Sequence, residues 1–162
     1  MVTPTPTSTN RLVDGLVARL QTALPARLER LRLPAVTAVL DYPPTHPNPA
    51  QAPQVWVDLV RERAEGPGEM GVCGGLSTRT QTLLVGVTCA GEHGSEANRR
   101  LRSYVDMIRE VVVSERQIPG VAFNLRWLRT DYSGNLAPAG LALFREAVLT
   151  VEADRWVRDG QD

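Results

Sequence analysis

Hydrophobic residues recur at helical spacing in two stretches of the chain. In residues 11–24 apolar side chains return every three or four positions, which places them along one face of a helix. Asn10 is the predicted N-cap of this helix, and Pro25 is predicted to end it. A second apolar stripe with the same spacing begins at Ala97, shortly after Ser95, the predicted N-cap. The pattern therefore predicts two amphipathic helices.

Elsewhere apolar and polar residues alternate, which is the period of a half-buried strand. The predicted strands span residues 35–42, 54–64, 80–89, 121–127 and 141–153. Because no helix separates the first three, they are predicted to pair antiparallel. Trp127 has the phase of Phe123 and Leu125, so it is predicted to lie in the core.

Two connecting segments are rich in Pro or Gly. Residues 43–53 contain five prolines, and so many missing amide donors exclude a strand there. Residues 65–78 contain five glycines and are predicted to form a long, mobile loop between two strands.

The order of these elements is helix, three strands, helix, two strands. It predicts an α+β fold, with a single mainly antiparallel β-sheet of about five strands and two amphipathic helices packed on one face. The 162 residues suit one domain. We expect a disordered Thr/Pro-rich tail at residues 1–9, a single domain at 10–157 and a flexible C-terminus at 158–162.

The amino-acid composition excludes several classes of catalytic and binding site. All 18 basic residues are Arg, so a Schiff-base lysine, a pyridoxal phosphate site and a P-loop lysine are excluded. Eighteen acidic residues bring the net charge to zero, which argues against a dedicated nucleic-acid coat. Cys73 and Cys89 lack zinc-site spacing. With no signal peptide and no apolar run of membrane length, we expect a soluble protein made in a reducing cytoplasm.

Candidate catalytic residues are isolated along the chain. His46 and His93 lie in predicted loops, and no nucleophile-elbow motif accompanies them. The glycines of the 65–78 loop precede a strand and open no helix, so they do not form a dinucleotide fingerprint. Asp41, Asp58 and Asp154 are expected on the solvated face of the sheet.

The chain resembles the tail terminator, or tail completion, proteins of tailed bacteriophages, which also occur as minor tail components. The resemblance rests on the opening helix 11–24, the strand 54–64 and the Gly-rich loop. It is strongest in Thr82-Leu-Leu-Val-Gly-Val-Thr-Cys before a helix and in the closing Leu141-Ala-Leu-Phe-Arg-Glu-Ala-Val-Leu-Thr-Val-Glu. It covers most of the chain.

The resemblance implies a structural virion protein with no catalytic residues and no cofactor. It implies a hexameric ring that caps the tail tube, ends tube growth and provides the docking surface for the head–tail connector. The expected partners are other copies of the chain, the tail tube protein and neck proteins, with DNA passing through the lumen without sequence-specific binding. We expect the protein in the virion, in its tail or neck, after assembly in the host cytoplasm.

A closed ring needs two different complementary patches on each subunit. Exposed aromatic residues and arginine–carboxylate pairs are typical of such patches. The predicted candidates for the subunit and tube interfaces are Trp56, Arg79, Arg99, Arg100, Arg102, Glu146, Glu152 and Trp156. The loop 65–78 is predicted to face the lumen or the tube.

Two alternatives stay open on the sequence. The first is another head–tail joining ring protein of the neck. The second is a small α+β ligand-binding protein or enzyme that uses Asp41, Asp58 or a histidine in a pocket.

Overall fold

The computed structural model describes residues 8–46, 48–64, 76–91, 93–134 and 143–158. The elements in chain order are α1 (Ser8–Arg30), β1 (Ala38–Leu40), β2 (Gln54–Ala64), β3 (Leu76–Gly91), α2 (Gly94–Ser114), β4 (Asn124–Tyr132) and β5 (Leu143–Arg158). The predicted α+β fold is confirmed. The predicted tail before residue 8, most of the Gly-rich loop and the last four residues lie outside the described residues.

The five strands form one sheet in the order β1-β2-β3-β5-β4. The two long central strands, β3 and β5, pair antiparallel from Leu76 opposite Arg158 to Gly91 opposite Leu143. β2 and β4 also pair antiparallel with their neighbours. β1 pairs parallel with β2, so the prediction of antiparallel pairing is wrong for this pair. The connector at 41–53 is long enough to carry the chain back along the sheet edge, as a parallel pair requires.

The core lies between one face of the sheet and both helices. Leu12, Leu16, Leu20, Leu24 and Leu28 line the buried side of α1 at four-residue steps. The residues of α2 predicted to be buried are all buried, with Met107 in addition. One apolar cluster joins both helices to alternate residues of β2, β3, β4 and β5. Both helices therefore cover the same face of the sheet, and no described helix covers the other.

Helix α1 continues through Pro25, so the prediction that this residue ends the helix is wrong. Proline removes one backbone hydrogen bond, but Leu24 and Leu28 on either side of it are 2% and 3% exposed. Burial of the second leucine favours continuing the helix by another turn. The helix ends at Arg30, and just beyond it Arg32 has a φ of 53° and Leu33 N donates to Leu28 O over 3.0 Å. This is a Schellman cap made without glycine.

Several predicted boundaries are corrected. β1 has three residues, β3 begins at Leu76 inside the predicted loop, and β5 runs on to Arg158. Backbone hydrogen bonding between the long strands continues beyond the residues in which apolar and polar side chains alternate. Ser95 is not the N-cap of α2, because the helix begins at Gly94 and His93 occupies the cap position without a side-chain hydrogen bond.

β4 begins three residues later than predicted and continues to Tyr132. The preceding residues instead form a tight turn, in which Ile118 pairs with Ala122 and Gly120 adopts a φ of 72°. Only a residue without Cβ takes that conformation at low cost.

Trp127 lies at the surface, 36% exposed, so its predicted place in the core is wrong. The pairing of β4 with β5 shifts register between Trp127 and Arg129, which breaks the alternation on which the prediction depended. The Arg109 guanidinium lies 5.2 Å from the ring centroid of Trp127. A cation over the ring and a hydrogen bond from Nε1 to Thr130 Oγ1 of 3.0 Å hold it there.

Candidate interaction surfaces

Trp56 lies on the sheet face that no described helix covers. It is only 5% exposed, because its indole lies over Gly86 on the neighbouring strand. A Cβ on Gly86 would stand 1.9 Å from Trp56 Cε2. The indole Nε1 donates to Glu146 Oε1 over 3.0 Å. Trp56 is therefore packed inside the subunit and orients Glu146, while the ring itself offers little surface to a partner.

Asp154 is the centre of a polar network on the same face. It was expected to be solvated, but it is 7% exposed. Its carboxylate accepts from Thr80 Oγ1 at 2.8 Å, Asn124 Nδ2 at 2.9 Å and Arg126 Nη1 at 2.8 Å. Glu152 accepts from Arg126 Nη2 at 3.0 Å. The network joins β3, β5 and β4. It also engages Glu152, which was predicted to contact a partner.

Arg79 belongs to a second polar cluster near the loop end of β2 and β3. Arg79 Nη1 lies 3.0 Å from Glu62 Oε1, and Arg155 Nη2 lies 3.7 Å from the same oxygen. The Arg155 side chain is 3% exposed. Among the described residues, neither its Nε nor the side-chain amide N and O of the buried Gln81 has a hydrogen-bond partner. A cluster of this kind was not predicted, since only the pairing register brings these residues together.

The three candidate arginines of α2 lie near its N-terminal end. Arg99 and Arg102 are exposed, and within the described residues neither makes an ion pair. Arg100 pairs with Glu96 one turn earlier, an i, i+4 ion pair on the helix surface. Because alternate strand residues point to opposite faces, Glu146 and Glu152 lie across the sheet from these arginines.

Trp156 is the most exposed aromatic residue of the described chain, at 57%. Its ring stacks on Phe123, with the ring centroids 5.0 Å apart and the planes inclined by 23°. The pair borders a hollow of about 330 Å³ lined also by Pro119 and Val121. The pair is an exposed apolar site, and its part in a subunit or tube interface stays a prediction.

The outer edge of the sheet carries a surface that the sequence analysis missed. β4 exposes Leu128 at 48% and Tyr132 at 54%, beside the half-exposed Trp127. β4 is an edge strand of the described sheet. Because the register shifts within β4, the alternation of apolar and polar residues along the strand does not predict this surface.

Cys89 and Tyr104 are buried titratable residues with raised pKa values. Burial raises the pKa of the Cys89 thiol. Burial also raises the pKa of Tyr104 to about 12, and its hydroxyl donates to Pro34 O over 2.7 Å. His46 and His93 are exposed. Within the described ranges no three His, Cys, Asp or Glu residues are grouped to hold a metal, and neither helix is long and apolar enough to cross a membrane.

Comparison with known proteins gives a likeness of fold. No protein-family model matches the chain, and no curated protein matches it. A solved structure described as "Virion of native gene transfer agent (GTA) particle" contains a chain of similar fold, with a TM-score of 0.59 and 17% sequence identity. The match covers 94% of this chain and 100% of that one. The two chains share their architecture from end to end.

Proposed function

We propose that this chain is a non-enzymatic structural protein of a phage-type virion. It assembles into a hexameric ring on the end of the tail tube, ends tube growth and provides the surface on which the head–tail connector docks. The tail tube protein and neck proteins are its partners, and DNA passes through the lumen without sequence-specific binding. The ring forms in the host cytoplasm and stays in the virion.

The observation that carries the proposal is the full-length likeness to a chain of a gene transfer agent particle. One fold hosts many functions, so this support is an analogy at the level of fold. It agrees with the resemblance to tail terminators, which rests on the order of helices and strands and on the closing strand.

The distribution of surface features supports assembly through unlike patches. Arg99 and Arg102 project from α2 on the helix side, whereas Glu146 and Glu152 lie on the other side of the sheet. A head-to-tail contact joins two different patches, and repeated rotation closes it into a ring. We propose that the arginine face of one subunit meets the acidic sheet face of the next.

Arginine suits this contact because its planar guanidinium binds carboxylates through two parallel hydrogen bonds. Trp56 fixes the position of Glu146 before any partner arrives. A carboxylate held in place loses less conformational freedom on binding.

Reversing the arginine charges tests the contact. Arg99→Glu/Arg102→Glu places two anions opposite the acidic patch, so we expect the ring to dissociate into monomers that keep the circular dichroism spectrum of the wild type. The matched control is Arg11→Glu, an exposed arginine of α1 outside the proposed patch. Light scattering coupled to size exclusion gives the mass, which for the wild type is expected near six times 17.7 kDa.

Three results are informative. The proposal is supported if the wild type and the control form six-subunit rings and the double variant is monomeric. If the double variant still forms a six-subunit ring, the arginine contact is overturned but the proposed ring is not. A wild type that remains monomeric at every concentration, and also with tail tubes present, overturns the ring itself.

A further inference from the structure

The hollow beside Trp156 is an open apolar site at the end of the sheet. The stacked rings of Phe123 and Trp156 form one wall, and Pro119 and Val121 also line it. Its volume of about 330 Å³ is at the lower end of the range for ligand sites. Trp156 is 57% exposed, so its indole is accessible to a second chain.

The connector between β1 and β2 presents a short apolar segment, Tyr42-Pro43-Pro44. Tyr42 is 56% exposed, Pro43 is exposed and Pro44 is half-buried. Each proline ring fixes its own φ, and a residue that precedes proline favours an extended conformation. The segment 42–44 is therefore stiff, and it loses little conformational entropy when it binds.

The chemistry of this segment matches the chemistry of the hollow. Proline-rich segments dock in grooves lined by aromatic rings, and the stacked wall of the hollow is such a surface. The charges beside the two sites are opposite, because Asp41 precedes the segment and Arg116 precedes Gln117 at the hollow. Asp41 and Arg116 are exposed, and within the described residues neither makes an ion pair.

The segment and the hollow lie apart on one subunit. β1, which leads into the connector, is three strands away from β5, which carries Trp156. At about 4.8 Å between neighbouring strands, the separation across the sheet is about 14 Å. Tyr42 and Trp156 both stay exposed, so the connector does not cover the hollow of its own subunit. A second copy of the chain brings the two sites together without a change in either subunit.

We propose that residues 41–44 of one copy dock in the hollow of the next copy. Both prolines pack against the stacked aromatic rings, and Asp41 lies beside Arg116. The contact joins two unlike surfaces, so it repeats head to tail around a ring. This inference rests on the proposed ring and adds to it a second subunit contact, separate from that of Arg99 and Arg102 with the acidic sheet face.

A disulfide trap in the full chain tests the contact. Thr45→Cys and Gln117→Cys place one thiol beside each site, in a Cys73→Ser background, since Cys89 is buried and does not compete. The control pair is Thr45→Cys/Arg129→Cys, because the Arg129 side chain is 72% exposed on β4 outside the hollow. We expect disulfides between chains to form about tenfold faster in the hollow pair, through a higher effective concentration. A non-reducing gel then shows a ladder that ends at six chains.

Further variants in the hollow pair identify the groups that carry the contact. Asp41→Arg is expected to slow cross-linking to the rate of the control pair, and Asp41→Arg/Arg116→Asp is expected to restore it. Pro43→Gly/Pro44→Gly is also expected to remove the preference. Ala50→Gly, an exposed position in the same connector, is expected to keep it.

The mass of the wild type separates failure of this contact from failure of the ring. Equal rates for the hollow pair and the control pair in a six-subunit protein overturn the contact and leave the ring. A disulfide within one chain also overturns the contact, because the segment then folds back on its own subunit. If the wild type stays monomeric, the ring is overturned, and a hollow pair no faster than the control overturns the contact as well. If Gln117→Cys disturbs folding, Pro119→Cys on the same hollow replaces it.

Discussion

Gly86 and Trp56 show how one residue without a side chain shapes the open sheet face. The indole occupies the space that a Cβ at Gly86 would need. Gly86→Ala must therefore expel the ring from its place and break its hydrogen bond to Glu146. We expect a loss of about 1–3 kcal/mol in the free energy of unfolding, the usual range for overpacking.

Chemical denaturation measures this loss, and Gly134→Ala is the matched control. No atom of the described residues lies within 4 Å of a Cβ at Gly134, so that variant should leave stability unchanged. A Gly86→Ala protein as stable as the wild type contradicts the packing of Trp56 described above.

Tyr104 links stability to alkaline pH. Burial raises its pKa from 10.0 to about 12, so between these values the unfolded phenol is ionised while the folded phenol keeps its proton. Its contribution to stability is present below pH 10 and is lost as the pH rises towards 12. Denaturation at several alkaline pH values should give a steeper loss for the wild type than for Tyr104→Phe. Equal slopes contradict the raised pKa.

Among the contacts between elements, Arg19 connects the two helices. Its guanidinium, on α1, donates to Glu115 O at 2.6 Å and to Gln117 O, at the end of α2. A cation at a helix C-terminus satisfies free carbonyl groups and opposes the negative end of the helix dipole.

Arg19→Met keeps most of the apolar stem of the side chain and removes these hydrogen bonds. We expect it to lower the free energy of unfolding by about 1.5–3 kcal/mol, the range for hydrogen bonds to charged groups. Arg102→Met, an exposed position on α2, should cost far less. Thermal melts of both variants check the difference, and equal melting temperatures would show that Arg19 does not cap α2.

The sequence predicted the elements best where the pattern was long and unbroken. The stripe of α2 and the bounds of β2 are confirmed because burial alone determines them. The continuation of α1 through Pro25 and the parallel β1 were missed, since the first depends on packing against the core and the second on the path of the connector.

The candidate surface residues also differ in how far the sequence predicts their exposure. Exposure of Arg99, Arg102 and Trp156 follows from local pattern. The burial of Trp56 over Gly86 and the shift that exposes Trp127 depend on register between strands, which a single sequence does not specify.

At the scale of the whole molecule, the chain has one sheet with helices on one face and a charged network on the other. This asymmetry gives each subunit two unlike surfaces, and a ring built from head-to-tail contacts requires such a pair.

Negative-stain microscopy of tail tubes mixed with the purified protein tests whether it caps the tube. We expect six-fold rings seated on tube ends and tubes that no longer elongate when tube protein is added. Bare tube ends that continue to grow in the presence of the protein would contradict it.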